Sequence, residues 1–169
     1  IEPSAVVGHS QGEVAAAYVA GGLSLEDAAL IICLRSRLVE KTRGAGHMMV
    51  TALSMTEAEA ELARFEGAIS IAASNGPATT ILSGDAKAIE TLAAELEKKN
   101  VFVRVLKVGY ASHSRQMDPL KEELLKGLSI VSPKTPGKRF ASTAIPSAKD
   151  TPTLDARYWW QNLRNPVRF

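Results

Sequence analysis

The feature that most constrains this chain is a tight connection at the pentapeptide Gly8-His9-Ser10-Gln11-Gly12. The apolar residues Ala5-Val6-Val7 before it are typical of a short strand, and residues 13–20 after it have helical composition. A G-x-S-x-G turn between a strand and a helix holds its serine exposed at the strand end. At both glycines we expect a side chain to collide with neighbouring backbone. The pattern therefore predicts an α/β fold with Ser10 at a functional position.

The position of Ser10 indicates a nucleophile. The dipole of the following helix and the free N–H of Gln11 would point toward an oxygen that becomes negative during attack on an acyl carbon. A serine hydroxyl needs a base, and the chain has three histidines. His9 lies inside the turn, and His47 begins a strand without an obvious partner. His113 follows a strand and precedes a helix, a place where α/β folds put functional side chains. From the residues alone, His113 is either a general base or a surface residue.

The middle of the chain has a different pattern, in which the order of elements is strand, helix, strand, strand, helix, strand. This is the split βαβ arrangement of ferredoxin-like units, and it favours a compact insert. The alternative is that these strands join one larger sheet. The dipeptide Asn75-Gly76 predicts the turn between the second and third strands. The predicted strands are 48–53, 68–73, 79–83 and 101–105, and the predicted helices are 56–65 and 86–99.

The segments around this unit have their own signals. Ser24 is a candidate N-cap, with Asp27 three residues later, for a helix that runs to about Thr42. Further along we expect a helix over 114–128, a strand over 139–143 and an organised aromatic-rich segment over 155–169. Cys33 lies in an apolar run and is predicted to be a buried structural thiol.

Composition excludes several classes of protein. The chain has 169 residues, 46% of them apolar and 22% charged, with a net charge of +2. This balance is that of a soluble globular protein, and it gives no reason to expect nucleic acid or a membrane as partner. One cysteine rules out an internal disulfide, and no signal peptide or long apolar span is present, so we expect a cytoplasmic location. Both ends look cut from a longer polypeptide.

Four separated motifs together resemble a known family. They are Gly8-His9-Ser10-Gln11-Gly12-Glu13, Arg35, Tyr110-Ala111-Ser112-His113 and the closing W-x-x-N-L-R-x-P-V-x-F segment within 159–169. In this order they resemble the acyltransferase domains of modular type I polyketide synthases, relatives of malonyl-CoA:acyl carrier protein transacylases. The resemblance covers essentially the whole chain. It implies an α/β-hydrolase-like core over 1–44 and 108–169, truncated at both ends, and a ferredoxin-like subdomain over 45–107.

The resemblance also implies roles for individual residues. Ser10 would attack the thioester of an extender-unit coenzyme A, His113 would take its proton, and the Gln11 N–H would serve the oxyanion hole. Arg35 would pair with the free carboxylate of the acyl group, as guanidinium does through two parallel hydrogen bonds. A backbone carbonyl or amide near Asn162 would orient His113. No metal and no bound cofactor are implied.

Substrate and partners follow from the same resemblance. In the family, the tetrapeptide ending at His113 goes with methylmalonyl, whereas a Phe before the histidine goes with malonyl. Ser112 leaves room for an α-methyl branch, and Tyr110 and Gln11 fit the methylmalonyl pattern; malonyl is the alternative extender. The acceptor would be the phosphopantetheine thiol of an acyl carrier protein. A ketosynthase and other synthase domains would lie in the same polypeptide.

Two other functions stay open at this point. A serine esterase or thioesterase of the α/β-hydrolase class also has serine before histidine, with Asp85 as a candidate acid. Against it, the inserted unit offers no standard acid position. A non-catalytic fragment that only docks a carrier protein is the second alternative. The presence of Ser10, Arg35 and His113 together argues against it.

Overall fold

A computed structural model describes residues 2–146 and 152–169. Residues 1 and 147–151, which fall inside the predicted ranges 1–44 and 108–169, lie outside the described residues. The helices are α1 (Gly12–Val19), α2 (Leu25–Glu40), α3 (Met55–Leu62), α4 (Ala86–Lys98), α5 (Lys121–Gly127) and α6 (Ala156–Arg164). The strands are β1 (Ala5–Val7), β2 (Gly46–Thr51), β3 (Ile69–Gly76), β4 (Thr79–Asp85), β5 (Val103–Val105), β6 (Arg139–Ala141) and β7 (Val167–Arg168).

The chain divides into two compact units. The first unit contains the residues up to Leu38 together with Leu120–Leu163, and the second contains Val39–Pro119 with Arg164–Phe169. The chain thus leaves the first unit within α2 and returns to it just before α5. The predicted domain boundaries at 44/45 and 107/108 stay a prediction. The two compact units are divided at 38/39 and at 119/120.

The second unit contains a five-stranded sheet in the order β5-β2-β4-β3-β7. The first four of these strands pair antiparallel, and each of the two crossing connections contains one helix, α3 or α4. This is the ferredoxin-like arrangement that the element order predicted, and the predicted fold class is confirmed. The short strand β7 adds to the edge at β3, in parallel, with Ala73 opposite Val167.

The core of the second unit forms where α3 and α4 bury their apolar faces. Helix α4 carries apolar residues at helical spacing, and Ile89, Leu92 and Leu96 are fully buried. They pack with Met49 and Leu82, which are buried side chains of β2 and β4. Both helices begin at a side-chain cap, because the Ser54 and Asp85 side chains accept from backbone N–H groups of the first turn.

In the first unit, β1 and β6 pair in parallel, with Val6 opposite Phe140. Helix α1 follows β1 after the serine turn, and its buried residues include Val14 and Ala17. Helix α2 begins where predicted, because the Ser24 hydroxyl accepts from the Asp27 N–H at 3.0 Å. This arrangement places the residues after β1 and those after β6 side by side, at the carboxyl ends of two parallel strands.

Three local predictions are wrong in detail. The turn between β3 and β4 lies at residues 77–78, because Asn75 and Gly76 continue β3 past a register shift. The predicted helix over 114–128 is a 3-10 helix over Arg115–Leu120 followed by α5, because Pro119 has no N–H and disfavours α geometry before it. Cys33 is exposed, since the helical period turns it away from the buried face.

The helices of the described ranges are either too short or too polar to cross a bilayer, so no candidate membrane span is found among them. Within the same ranges, no set of three or more His, Cys, Asp or Glu side chains is grouped in a way that suits a metal ion.

Helix α4 provides a test of the second unit. Leu92 is fully buried in the core, so Leu92→Ala is expected to lower the free energy of unfolding by roughly 2–5 kcal/mol. Glu97 is an exposed residue of the same helix, and Glu97→Ala is expected to change stability by about 0.5 kcal/mol or less. Urea unfolding followed by circular dichroism measures both. Equal effects of the two substitutions would contradict this account of the core.

Candidate active site

The first glycine of the serine turn is required by close packing. A Cβ on Gly8 would lie 2.3 Å from the carbonyl carbon of Gly12 and 2.4 Å from the amide nitrogen of Glu13. The strand end and the helix start therefore touch at this point, and only glycine fits between them. At Gly12 a Cβ would meet no atom within 4 Å, so the expected collision is wrong for the second glycine.

Ser10 lies at the centre of this turn with its backbone in the left-handed region, at a φ of 52°. Its carbonyl accepts from the Glu13 N–H at 3.0 Å, and the Gly12 N–H donates to the carbonyl of His9 at 2.9 Å. These bonds start α1 immediately after the serine. A non-glycine residue at positive φ carries backbone strain, which is commonly found at functional positions.

The Ser10 hydroxyl contacts a buried cation. Arg35, on α2, is only 5% exposed, and its Nη2 donates to Ser10 Oγ at 3.1 Å. Its Nη1 donates to Asn162 Oδ1 at 2.5 Å. A guanidinium is charged at any physiological pH, so its burial needs acceptors around it. The structure thus brings Arg35, for which the resemblance implies a carboxylate-binding role, directly to the Ser10 hydroxyl.

The side chain of Asn162, on α6, connects three groups of the first unit. Its Nδ2 donates to the carbonyl of Ser10 at 3.1 Å and to Glu13 Oε2 at 2.9 Å. Its Oδ1 accepts from Arg35. Both partners of Nδ2 are acceptors and the partner of Oδ1 is a donor, so the network determines which way the amide points.

Glu13 is a fully buried carboxylate on α1. Its Oε1 accepts from the Thr143 N–H at 2.5 Å, from the Thr143 hydroxyl at 2.5 Å and from the Ala144 N–H at 3.3 Å. Its Oε2 accepts from Asn162 and from the Tyr158 hydroxyl. Burial, and then the adjacent Glu13 carboxylate, raise the pKa of Tyr158 well above its ordinary value, so this phenol remains a donor.

The second unit contains the other predicted site residues, Tyr110, Ser112 and His113. His113 is 4% exposed and has a φ of 62°, so its backbone is also left-handed. Two serines hold the loop around it. The Ser83 hydroxyl of β4 donates to the carbonyl of Ser112 at 2.7 Å, and the Ser114 hydroxyl donates to the carbonyl of Ala111 at 2.7 Å.

The His113 ring is oriented by a backbone carbonyl. Its Nδ1 lies 2.8 Å from the carbonyl oxygen of Asn165. A carbonyl only accepts, so Nδ1 carries a proton, and whenever the ring is neutral its free lone pair is on Nε2. The carbonyl was expected near Asn162, and the residue that supplies it is Asn165. We therefore reassign the orienting role from Asn162 to Asn165, because the amide of Asn162 serves Arg35, Ser10 and Glu13.

The remaining predicted residues occupy definite places. Gln11 is the exposed N-cap residue of α1, where a backbone N–H has no partner within the helix. Ser112 is buried and Tyr110 is half-buried, both beside His113 in the second unit. Asp85, the candidate acid of a hydrolase, is exposed and caps α4 by accepting from the Ala88 N–H at 3.1 Å.

Sequence reasoning missed one central residue, Glu13. In the sequence it stands only as the last residue of the motif that begins at Gly8. The available signal was a carboxylate in the first turn of a helix whose neighbours Val14 and Ala17 are apolar. A charged residue at such a position is rarely buried without partners. Its partners lie 130–149 positions away along the chain, and no local pattern reveals them.

Comparison with known proteins gives consistent similarities. The family model described as "Acyl transferase domain" matches residues 1–169. Among curated proteins, polyketide synthase GfsB of Streptomyces halstedii is 48% identical over 170 aligned positions, and erythronolide synthase EryA3 of Saccharopolyspora erythraea is 45% identical over 170. Each alignment includes the whole of this chain, but the chain spans only 3% and 5% of the two relatives.

Solved structures of similar fold include two acyltransferases. The acyltransferase domain from module 8 of the salinomycin polyketide synthase has a TM-score of 0.94 and 40% identity, over 99% of this chain and 40% of that one. A loading acyltransferase from the avermectin modular polyketide synthase has a TM-score of 0.95 and 36% identity, over 100% of this chain and 54% of that one.

The two glycines of the turn provide a matched test. Gly8→Ala is expected to lower the thermal unfolding midpoint, because a Cβ would press on backbone atoms that cannot move independently. Gly12→Ala is expected to leave the midpoint unchanged or to raise it, because alanine favours a helix over glycine by up to about 1 kcal/mol. Differential scanning calorimetry of both variants measures the midpoints. Equal destabilisation by the two alanines would overturn the distinction.

Proposed function

Because this chain belongs to the acyl transferase domain family, we propose that it transfers an extender acyl unit from coenzyme A to an acyl carrier protein through an ester of Ser10. The observation that supports this most directly is the hydrogen bond from Arg35 to the Ser10 hydroxyl, 3.1 Å long. It puts a fixed cation next to the nucleophile, where an acyl group with a free carboxylate would be held.

The first half-reaction forms the ester. Ser10 Oγ attacks the thioester carbonyl while Nε2 of His113 accepts the hydroxyl proton. The tetrahedral intermediate collapses, the carbon–sulfur bond breaks, and the proton passes to the leaving thiolate of coenzyme A. The hydrogen bond between Nδ1 and the carbonyl of Asn165 supports this role, because it leaves Nε2 as the ring atom that can take a proton.

The second half-reaction transfers the acyl group to the carrier. The phosphopantetheine thiol gives its proton to His113, and the sulfur attacks the ester carbonyl. The carbon–oxygen bond to Ser10 breaks and the serine oxygen recovers the proton. No electron transfer or metal is part of either step. Coenzyme A thioester and phosphopantetheine thus enter as substrates, and the chain itself holds no cofactor in this proposal.

The negatively charged oxygen of the tetrahedral intermediate needs a hydrogen-bond donor to stabilise it. Gln11 stands at the N-cap of α1, where its N–H and the helix dipole favour a developing oxyanion. One such donor typically lowers the barrier by about 3 kcal/mol. We assign this role to the backbone of Gln11, so the side chain at this position remains available for substrate selection.

Arg35 would select extenders that carry a second carboxylate. Its burial supports this role, because a guanidinium shielded from water binds a carboxylate more strongly than an exposed one does. Without substrate, the Ser10 hydroxyl and the Asn162 amide oxygen accept from the two terminal nitrogens. Both acceptors are neutral, and a carboxylate competes well against them.

The extender is proposed to be methylmalonyl, with malonyl as the alternative. Support comes from Tyr110, Ser112 and Gln11, the residues that the resemblance connects with an α-methyl branch. Ser112 is small, buried and directly before His113. Discrimination by one methyl group is limited to about 1–3 kcal/mol, so we expect a preference and not an absolute choice.

The proposed setting is a modular polyketide synthase in the cytoplasm. Support comes from the relatives, which are named as polyketide synthases. This chain matches only a small part of the length of each of them. The proposed partners are an acyl carrier protein and, in the same polypeptide, a ketosynthase and further synthase domains.

Loading of Ser10 tests the mechanism. Full-length protein incubated with methylmalonyl-CoA is expected to gain one methylmalonyl group by intact-protein mass spectrometry and to pass it to a carrier protein. Ser10→Ala is expected to abolish the adduct. Arg35→Ala is expected to lower the loading rate for methylmalonyl-CoA roughly a hundredfold, because a charge-assisted hydrogen-bonded pair is lost.

The other outcomes of the loading assay identify the rival functions. Free methylmalonic acid as the main product, in the presence of carrier protein, would indicate a hydrolase and contradict transfer. Binding of carrier protein without any adduct on Ser10 would indicate a docking fragment. Either result overturns the proposal.

Ser112 provides the test of extender choice. Ser112→Phe would fill the space proposed for the α-methyl branch, and we expect the ratio of methylmalonyl to malonyl loading to fall about tenfold or more. Ser112→Ala, which keeps the side chain small, serves as the control and should retain the ratio. Competition between the two coenzyme A esters, read by mass of the loaded serine, measures it. An unchanged ratio in the Phe variant would contradict the assignment.

A further inference from the structure

The buried carboxylate of Glu13 has no role in the chemistry described so far. It touches neither the Ser10 hydroxyl nor Arg35 in the contacts described above, and it is separated from the guanidinium by one side chain. The connection runs from Glu13 Oε2 to Asn162 Nδ2 at 2.9 Å, and from Asn162 Oδ1 to Arg35 Nη1 at 2.5 Å. The Nη2 of the same guanidinium then reaches Ser10 Oγ at 3.1 Å.

We propose that Glu13 is a positioning residue for extender selection: it fixes the amide of Asn162 so that the amide oxygen holds Arg35 in the orientation that receives the substrate carboxylate. The proposal rests on the function proposed for Arg35. Glu13 acts only through Asn162, and it makes no contact with substrate.

The surroundings of Glu13 leave a single orientation for the groups involved. The Oε1 side faces the N–H groups of Thr143 and Ala144, which can only donate. The Oε2 side faces the amide nitrogen of Asn162, which also only donates, and the hydroxyl of Tyr158. Both oxygen positions of the Glu13 side chain therefore have to be hydrogen-bond acceptors. A carboxylate meets this requirement, because both of its oxygens accept.

A glutamine at this position keeps the shape but reverses one contact. Its carbonyl oxygen must face the N–H groups of Thr143 and Ala144, so its NH₂ group faces the Nδ2 of Asn162. Two donors then oppose each other, and the amide of Asn162 either moves away or turns over. If it turns over, an NH₂ group faces the cationic Arg35. In both cases the guanidinium loses the acceptor that orients it.

The hydroxyl of Tyr158 does not suffer the same loss. It lies within hydrogen-bond reach of Ser142 Oγ, at 2.8 Å, as well as Glu13. The hydroxyl can donate to Ser142 and accept from the glutamine NH₂ group, because a phenol does both. The effect of Glu13→Gln is thus directed at Asn162 and through it at Arg35.

The test compares two acyl groups that differ only by the carboxylate. Full-length protein is loaded at Ser10 with methylmalonyl-CoA or with propionyl-CoA, and kcat/KM is taken for each. Glu13→Gln is expected to lower the value for methylmalonyl-CoA roughly tenfold or more, since the hydrogen bond lost involves a charged group. The value for propionyl-CoA, whose acyl group has no free carboxylate for Arg35 to bind, is expected to stay within about twofold.

The controls separate positioning from general damage. Leu128 is a buried core residue of the same unit, and Leu128→Ala should lower stability without changing the ratio between the two substrates. In an Arg35→Ala background, Glu13→Gln should cause no further change in the ratio, because the residue that it positions is gone. If Glu13→Gln does not give folded protein, Glu13→Asp keeps the charge but shortens the reach, and an intermediate ratio is expected.

The outcomes distinguish this inference from the proposed function. If Arg35→Ala has the same ratio of the two kcat/KM values as the wild-type protein, the role proposed for Arg35 fails, and the inference fails with it. If the wild-type ratio depends on Arg35 but a folded Glu13→Gln or Glu13→Asp variant keeps it, only the positioning role of Glu13 is overturned. An equal loss for both substrates would show a structural role and would also overturn it.

Discussion

One buried carboxylate joins the parts of the first unit that surround Ser10. Glu13 directly follows the serine turn and accepts from the backbone that follows β6 and from side chains of α6. A buried anion is destabilising unless donors surround it, and these donors come from segments far apart in the chain. Satisfying this one group therefore requires the turn, the end of β6 and α6 to lie together. These contacts hold the three segments together around a turn whose own shape is set by the packing at Gly8 and by its backbone hydrogen bonds.

Both residues that are proposed to exchange a proton carry backbone strain. Ser10 and His113 both have positive φ, at 52° and 62°. Each is held there by packing and hydrogen bonds of its own unit: Gly8 permits the close approach at the serine turn, and Ser83 fixes the loop before the imidazole. Strained conformations of this kind persist only where the surroundings determine them. In each unit, neighbouring residues thus hold one of these two strained residues in place.

Local patterns in the sequence predicted most of the elements and the ferredoxin-like order, the family resemblance supplied the α/β-hydrolase-like core, and neither revealed contacts between groups that are distant in the chain. The ferredoxin-like order followed from periodicity alone, since α4 and its flanking strands carry their own signals. Pro119 and the pair Asn75-Gly76 were visible in the sequence, yet their effects depended on pairing and register. The orienting carbonyl was expected near Asn162 and belongs to Asn165, because an amide engaged with Arg35 and Glu13 cannot be recognised from spacing.

The electrostatics of the first unit explain why a carboxylate-bearing substrate would be favoured there. Arg35 is buried, and its described hydrogen bonds go to a neutral amide and a neutral hydroxyl. The anion in its neighbourhood, Glu13, lies one asparagine away and is already occupied by donors from four residues. An anion separated from a buried cation by one neutral side chain still compensates part of its charge, because electrostatic interactions are weakly screened in the interior. In the proposed function, Asn162 would keep the guanidinium ordered by separating it from Glu13, and the substrate carboxylate would then bind to it.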